Sequence, residues 1–246
     1  ECDAAISPNG NIPVHAFNLI SPTFFANSST GNKYSLWVNV YGVSERYLNV
    51  YGEKDLRAQM NQFFHRTYTH PVDGTTLDMK MLCNWYWYDE TAILETGKGT
   101  KDWNFYRYAE TLLSAAEAIA QSSGVNAEAA GYLAQVKARA NMEGKDVSTI
   151  ASELQRLGKQ AFIEECWKER LREFPLEMKI WDDCVRTGKF PQISATNKGE
   201  VQFVDLIGAK NGSGATFKAT DLYWPIPVNE IQRNPNLTQN EGYSAK

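Results

Sequence analysis

Four aromatic residues stand in a row at Trp85-Tyr86-Trp87-Tyr88, with Asn84 before them and Asp89-Glu90 after. Rings beside amides and acids suit sugar binding. The C–H face of a pyranose stacks on a ring, and its hydroxyls bond to amide and carboxylate groups. On a strand, Trp85 and Trp87 share one face and Tyr86 and Tyr88 the other, so one face packs while the other is left for a ligand. Trp37 and Tyr41, four apart in a second candidate strand, also share a face. The candidate ligand-binding residues are therefore Trp85, Trp87, Trp37 and Tyr41, each set against plain core packing. Trp103, Trp167, Trp181 and Trp224 fall in helical stripes or in the C-terminal motif and are assigned to the core.

Carboxylates could do acid–base chemistry. Asp89-Glu90, Glu164-Glu165 and Asp182-Asp183 are adjacent pairs, but neighbours diverge on a strand or a helix. Glycoside hydrolysis needs two carboxyls roughly 5–9.5 Å apart across a sugar, and no spacing here sets that geometry. Glu169 and Glu173 share a helix face, with Arg170 and Asp183 near. We read them as a half-buried ion network rather than a ligand clamp, because a buried arginine needs carboxylate partners. His65 and His70 are five apart, which matches no zinc motif. Cys83, Cys166 and Cys184 sit among apolar residues and read as small core side chains. Gly97-Lys98-Gly99-Thr100 has Ile93 where a phosphate loop needs glycine, so it reads as a surface loop. No catalytic residue, metal or cofactor is expected.

These residues must be positioned by a chain of 246 residues that is 43% hydrophobic and 12% aromatic, enough to bury a core. A net charge of −4 gives no electrostatic case for nucleic acid. Four cysteines are too few for a disulfide scaffold. Residues 1–10 carry no leader pattern, and Cys2 reads as an ordinary thiol. Residues 1–102 are loop-rich and aromatic-rich, with candidate strands at Ser35–Val43 and Met79–Tyr88. Residues 103–246 are read as a helical region with an extended tail. Phe105, Tyr108, Ala109, Leu112, Leu113 and Ala116 form a helical stripe closed by Gly124. A second helix spans about 127–141, and a third starts at Ser148 as N-cap. A fourth carries Ile163, Cys166, Trp167, Arg170, Leu171 and Phe174, and a short helix after Pro175 ends at Thr187-Gly188. Residues 189–222 read as loop, and the Pro- and Asn-rich segment Tyr223–Tyr243 as extended. The fold class is mainly α, with tetratricopeptide-like helix pairs, irregular loops and small β elements.

Several stretches together resemble one family. They are Arg107-Tyr108-Ala109-Glu110 with Ala116-Glu117-Ala118; the helix Tyr132–Ala140; and Glu169-Arg170, Glu173-Phe174, Glu177, Trp181, Asp183 and Arg186-Thr187-Gly188. Tyr223-Trp224-Pro225-Ile226-Pro227 and Asn234-Pro235-Asn236-Leu237-Thr238-Gln239-Asn240 complete the pattern, with Tyr51-Gly52, Asp55 and Arg57 as a weaker match. The chain resembles the C-terminal half of the SusD/RagB family. It departs where the family has glycine, here Leu176, and where it has arginine before the tryptophan, here Ile180. The resemblance implies a non-enzymatic nutrient-binding lipoprotein of the outer membrane, surface-exposed and lipid-anchored through a segment outside this chain. It implies an oligosaccharide ligand, a TonB-dependent transporter as partner, and an N-terminal half of the same protein. The alternatives are a carbohydrate-active hydrolase and a family member that captures peptide or protein.

Overall fold

The computed structural model describes residues 43–69, 74–88 and 104–244. Trp37, Tyr41, Asp89, Glu90 and Trp103 lie outside the described residues, as does nearly all of the candidate strand 35–43. The chain packs as two compact units, Glu1–Glu177 with Ile193–Val201, and Met178–Gln192 with Gln202–Lys246.

In the first unit, β1 (Phe64–Thr69) pairs antiparallel with β2 (Thr76–Asn84), with Phe64 opposite Asn84 and His65 opposite Cys83. Four helices follow: α1 (Tyr108–Ser123), α2 (Ala127–Ala138), α3 (Val147–Leu154) and α4 (Lys159–Glu173). The connection 124–126 is short, so α1 and α2 form a hairpin. Their facing stripes are largely alanine and leucine (Ala116 and Ala120, Ala130 and Leu133), all fully buried, and the small side chains allow close approach. Gly124 ends α1 at φ 83°, a backbone that favours glycine. Asn126 caps α2 by accepting from the Ala129 N–H at 2.9 Å. Asp146, not the expected Ser148, caps α3: its carboxylate accepts from the Thr149 N–H at 2.8 Å. The first helix begins at Tyr108 rather than near 103, and Phe105 and Tyr108 are exposed although they continue its apolar stripe.

The end of α4 is polar yet buried: Glu169, Arg170, Arg172 and Glu173 are all withdrawn from solvent. The carbonyls of its last turn have no partner within the helix. Side chains from elsewhere in the unit supply them. The Tyr47 hydroxyl donates to Leu171 O at 2.5 Å, the Tyr51 hydroxyl to Arg172 O at 2.9 Å, and Arg107 to Glu173 O at 2.9 Å. Burial pushes both tyrosine hydroxyls well above their usual titration range, so they remain donors.

The second unit holds α5 (Ile180–Thr187), closed by Gly188 at φ 66°, then most of the hairpin of β3 (Lys189–Ile193) and β4 (Val201–Asp205), and the short helix α6 (Val228–Arg233). The hairpin lies where a loop was expected, and α6 lies within the segment expected to be extended. Phe217 packs on Trp181 and Phe190, with ring centroids 5.7 and 5.1 Å away. Trp181 is nevertheless 40% exposed and Trp224 88% exposed, so neither is the core residue expected, whereas Trp167 is buried. The tail holds the Trp224 segment by its backbone. Gln239 exchanges two hydrogen bonds with Ile226, Asn240 donates to Trp224 O, and the Tyr243 hydroxyl donates to Tyr223 O.

Candidate functional site

The aromatic run is not a strand. β2 ends at Asn84, and Trp85–Trp87 form one 3-10 turn. The buried Asn84 starts it: its carbonyl oxygen accepts from the Tyr86 N–H at 2.9 Å, while its amide nitrogen donates to Pro175 O at 2.8 Å. A sequence of two donors and acceptors on one short side chain thus stops the strand and ties the turn to the segment after α4. In a 3-10 turn the residues that share a side are three apart, so Trp85 meets Tyr88, not the residue two along.

The result is a column of rings. The Trp85 indole lies parallel to the His65 imidazole, with centroids 3.6 Å apart and planes 8° from parallel. It lies parallel to Tyr88 as well, at 4.5 Å and 12°. Two rings this close and this nearly parallel to one indole would overlap on a single face, so His65 and Tyr88 cover opposite faces. Tyr68 leans on both Trp85 and Tyr88, at 6.1 and 6.2 Å. His65 comes from β1, and desolvation lowers its pKa, favouring the neutral ring. Of the expected ligand-binding residues, Trp85 therefore occupies the middle of a stack, and its outer neighbours His65 and Tyr88 were not foreseen from the sequence. Their signal was present only as periodicity: a three-residue interval in an aromatic run that looked like a strand.

Behind the column runs a network of buried charge. The Arg107 guanidinium lies between the rings of Tyr86 and Phe174, 5.6 and 4.8 Å from their centroids. It grips both oxygens of Glu177, at 2.8 and 2.7 Å, and reaches Glu173 at 3.1 Å. Arg57 takes Asp55 in a two-point fork at 2.9 and 2.7 Å and pairs with Glu169 at 2.9 Å and Glu173 at 3.1 Å. Glu169 also faces Arg172 at 3.2 Å, and Glu165 bridges Arg172 and Lys137. Burial alone would raise the Glu169 carboxyl, but Arg57, Lys137 and Arg172 outweigh it and push it down to about 2. The Glu165 carboxyl is likewise lowered, by Lys137 and Arg172 against burial.

The expected network thus exists, with a different centre. Glu169 and Glu173 belong to it, while Arg170 bonds to Glu110 and Ser114 at 3.2 and 3.3 Å and lies over Phe174. Arg57, distant in sequence, pairs with both Glu169 and Glu173; Arg172 adds to Glu169, and Arg107 and Arg139 to Glu173. Asp183 pairs with Arg186 within α5. Cys166 and Cys184 are buried thiols, as expected; burial pushes Cys184 up to about 11 and Cys166 further still, which disfavours a reactive thiolate. Among the described residues no group of three or more His, Cys, Asp or Glu side chains could hold a metal ion.

Residues 27–243 match the SusD family. The chain belongs to the SusD family. Relatives of this SusD-family chain include the starch-binding protein SusD of Bacteroides thetaiotaomicron, 36% identical over 138 residues, which are 56% of this chain and 21% of that protein. The crystal structure of a SusD superfamily protein from Parabacteroides distasonis superposes with a TM-score of 0.73 at 29% identity, covering 93% of this chain and 47% of that one. The chain therefore spans less than half the length of these SusD-family relatives. The network accounts for much of the family pattern read from the sequence. Arg57, Arg107, Glu169, Glu173 and Glu177 are all ion-pair partners. The departure at Leu176 also has a physical meaning. Its φ is 59°, in the left-handed region where glycine is at ease and leucine is not.

Proposed function

We propose that this chain is part of a cell-surface nutrient-binding protein that captures oligosaccharide by stacking and hydrogen bonding, without chemistry, and passes it to a TonB-dependent transporter of the outer membrane. The observation that carries the reading is the His65–Trp85–Tyr88 column in a chain of the SusD family. With both indole faces covered, the sugar stacks on an end of the column, on Tyr88 or His65, with Trp85 as the backing ring. Trp87, Trp37 and Tyr41 stay in the proposal as further contacts. The buried carboxylates argue against a hydrolase: a general acid needs a raised pKa, and Glu165 and Glu169 are held low. Among the described residues no helix is long and apolar enough to cross a membrane, and the proposal attaches the protein to the outer membrane through a lipid.

Calorimetric titration with maltoheptaose, followed by panels of other glycans and of peptides, tests the reading. A stacked ring contributes roughly 0.5–1.5 kcal/mol beyond its area, so Tyr88→Ala should weaken glycan binding severalfold to about tenfold. The melting temperature should hold, and no reducing ends should appear on prolonged incubation. Binding of peptide but of no glycan, or release of sugar, would overturn it.

A further inference from the structure

A second site is built at the open end of the α1–α2 hairpin, away from the ring column. Two hollows of about 250 and 220 Å³ open there, and Val136 and Arg139 line both. One hollow is edged by Tyr108 and Leu112, the other by Leu56 and Phe63. Tyr108 is 72% exposed, so its ring is open to a partner. Gln62 and Gln135 line the same hollows, and among the described residues neither side-chain amide has a hydrogen-bond partner.

The charges in the walls are unequal: Arg57, Arg107 and Arg139 against Glu173 alone. Arg57 and Arg107 have other carboxylates, Asp55 and Glu177. Among the described residues Arg139 has only Glu173, through one hydrogen bond of 2.7 Å, and its side chain is 58% exposed. Glu173 does not depend on it, since the same carboxylate receives Arg107 and Arg57, each at 3.1 Å. Arg139 can therefore turn to an incoming anion without leaving a buried charge unpaired. Its planar fork matches a carboxylate in two-point fashion.

We propose that this groove binds the carboxylate-bearing sugar units of an acidic glycan. Arg139 takes the carboxylate, Tyr108 stacks on the pyranose face, and Gln62 and Gln135 bond to hydroxyls. The proposal rests on the glycan-binding reading above but uses different residues, so the two fail separately. Maltoheptaose and Tyr88→Ala test the first; hexagalacturonate with Arg139→Gln and Tyr108→Ala tests the second.

The experiment is calorimetry of the full chain with hexagalacturonate, at about 20 and about 200 mM salt, where screening of exposed charge differs strongly. The expected result is measurable binding that weakens with salt, falls at least tenfold in Arg139→Gln and falls severalfold in Tyr108→Ala. Tyr108 lies outside the ion network, so its variant should melt with the wild type and keep the test readable even where Arg139→Gln is less stable. No binding of hexagalacturonate, or equal binding by wild type and both variants, overturns the proposal. Equally tight binding of a hexaglutamate peptide with the same dependence on Arg139 overturns the assignment to glycan and points to an acidic peptide.

Discussion

Replacing Arg57 with methionine keeps most of the side-chain volume and removes the charge. In the wild type that guanidinium is 6% exposed and serves three carboxylates: Asp55 at 2.7 Å, Glu169 at 2.9 Å and Glu173 at 3.1 Å. The losses are unequal. Glu173 retains Arg107 and Arg139. Glu169, at 1% exposure, retains Arg172 at 3.2 Å and the more distant Lys137 at 3.9 Å. Asp55 loses the fork that neutralised it. Removing one member of a buried ion pair costs about 3–5 kcal/mol, mostly the penalty of the charge left behind. For a chain of this size each kcal/mol lowers the melting temperature by about 2–4 °C, so a drop of roughly 6–20 °C is expected. Urea and thermal unfolding of wild type, Arg57→Met, Glu169→Gln and the double variant would measure it. Because part of the penalty sits on Glu169, which is 1% exposed and loses its 2.9 Å partner, the double variant should be more stable than the sum of the singles by at least about 1 kcal/mol. A cost for Arg57→Met below about 1 kcal/mol, or singles that simply add, would refute the reasoning.

Two further outcomes follow from the same region. The Glu169 carboxyl is held at about 2 against an ordinary 4.5, so its contribution is complete above pH 4.5 and is lost as the pH falls from there towards 2. The melting temperature should change little between pH 7 and 5 and drop below that, with a shallower drop in Arg57→Met; a flat profile down to pH 2 would contradict the network. Leu176 holds φ 59°, which costs a residue with a Cβ about 1–2 kcal/mol. Leu176→Gly should therefore be more stable than Leu176→Ala by about 1 kcal/mol in urea titration, and equal stabilities would show that no strain is stored there.

What the sequence by itself determined is local. Apolar residues three and four apart placed the helices, and Gly124 and Gly188 marked two of their ends, because helix formation and termination are set within a turn or two of chain. The family pattern read from the sequence falls on mutual partners: Arg107 pairs with both Glu173 and Glu177. Even the cap of α3 was misplaced by only two residues, since Asp146 and Ser148 offer the same acceptor chemistry. What only the tertiary structure decided is who meets whom. Arg170 looked like the natural partner of Glu169 and Glu173 on its own helix, yet α4 turns it towards Glu110; Arg57 reaches both carboxylates, with Arg172 on Glu169 and Arg107 and Arg139 on Glu173. The aromatic run looked like a strand, but Asn84 reaches Pro175, 91 residues away, and closes the chain into a 3-10 turn. The turn, capped by the Asn84 side chain on the Tyr86 N–H, changes the interval between co-facing rings from two residues to three. Trp85 consequently stacks between Tyr88 and His65, a neighbour no local spacing could supply.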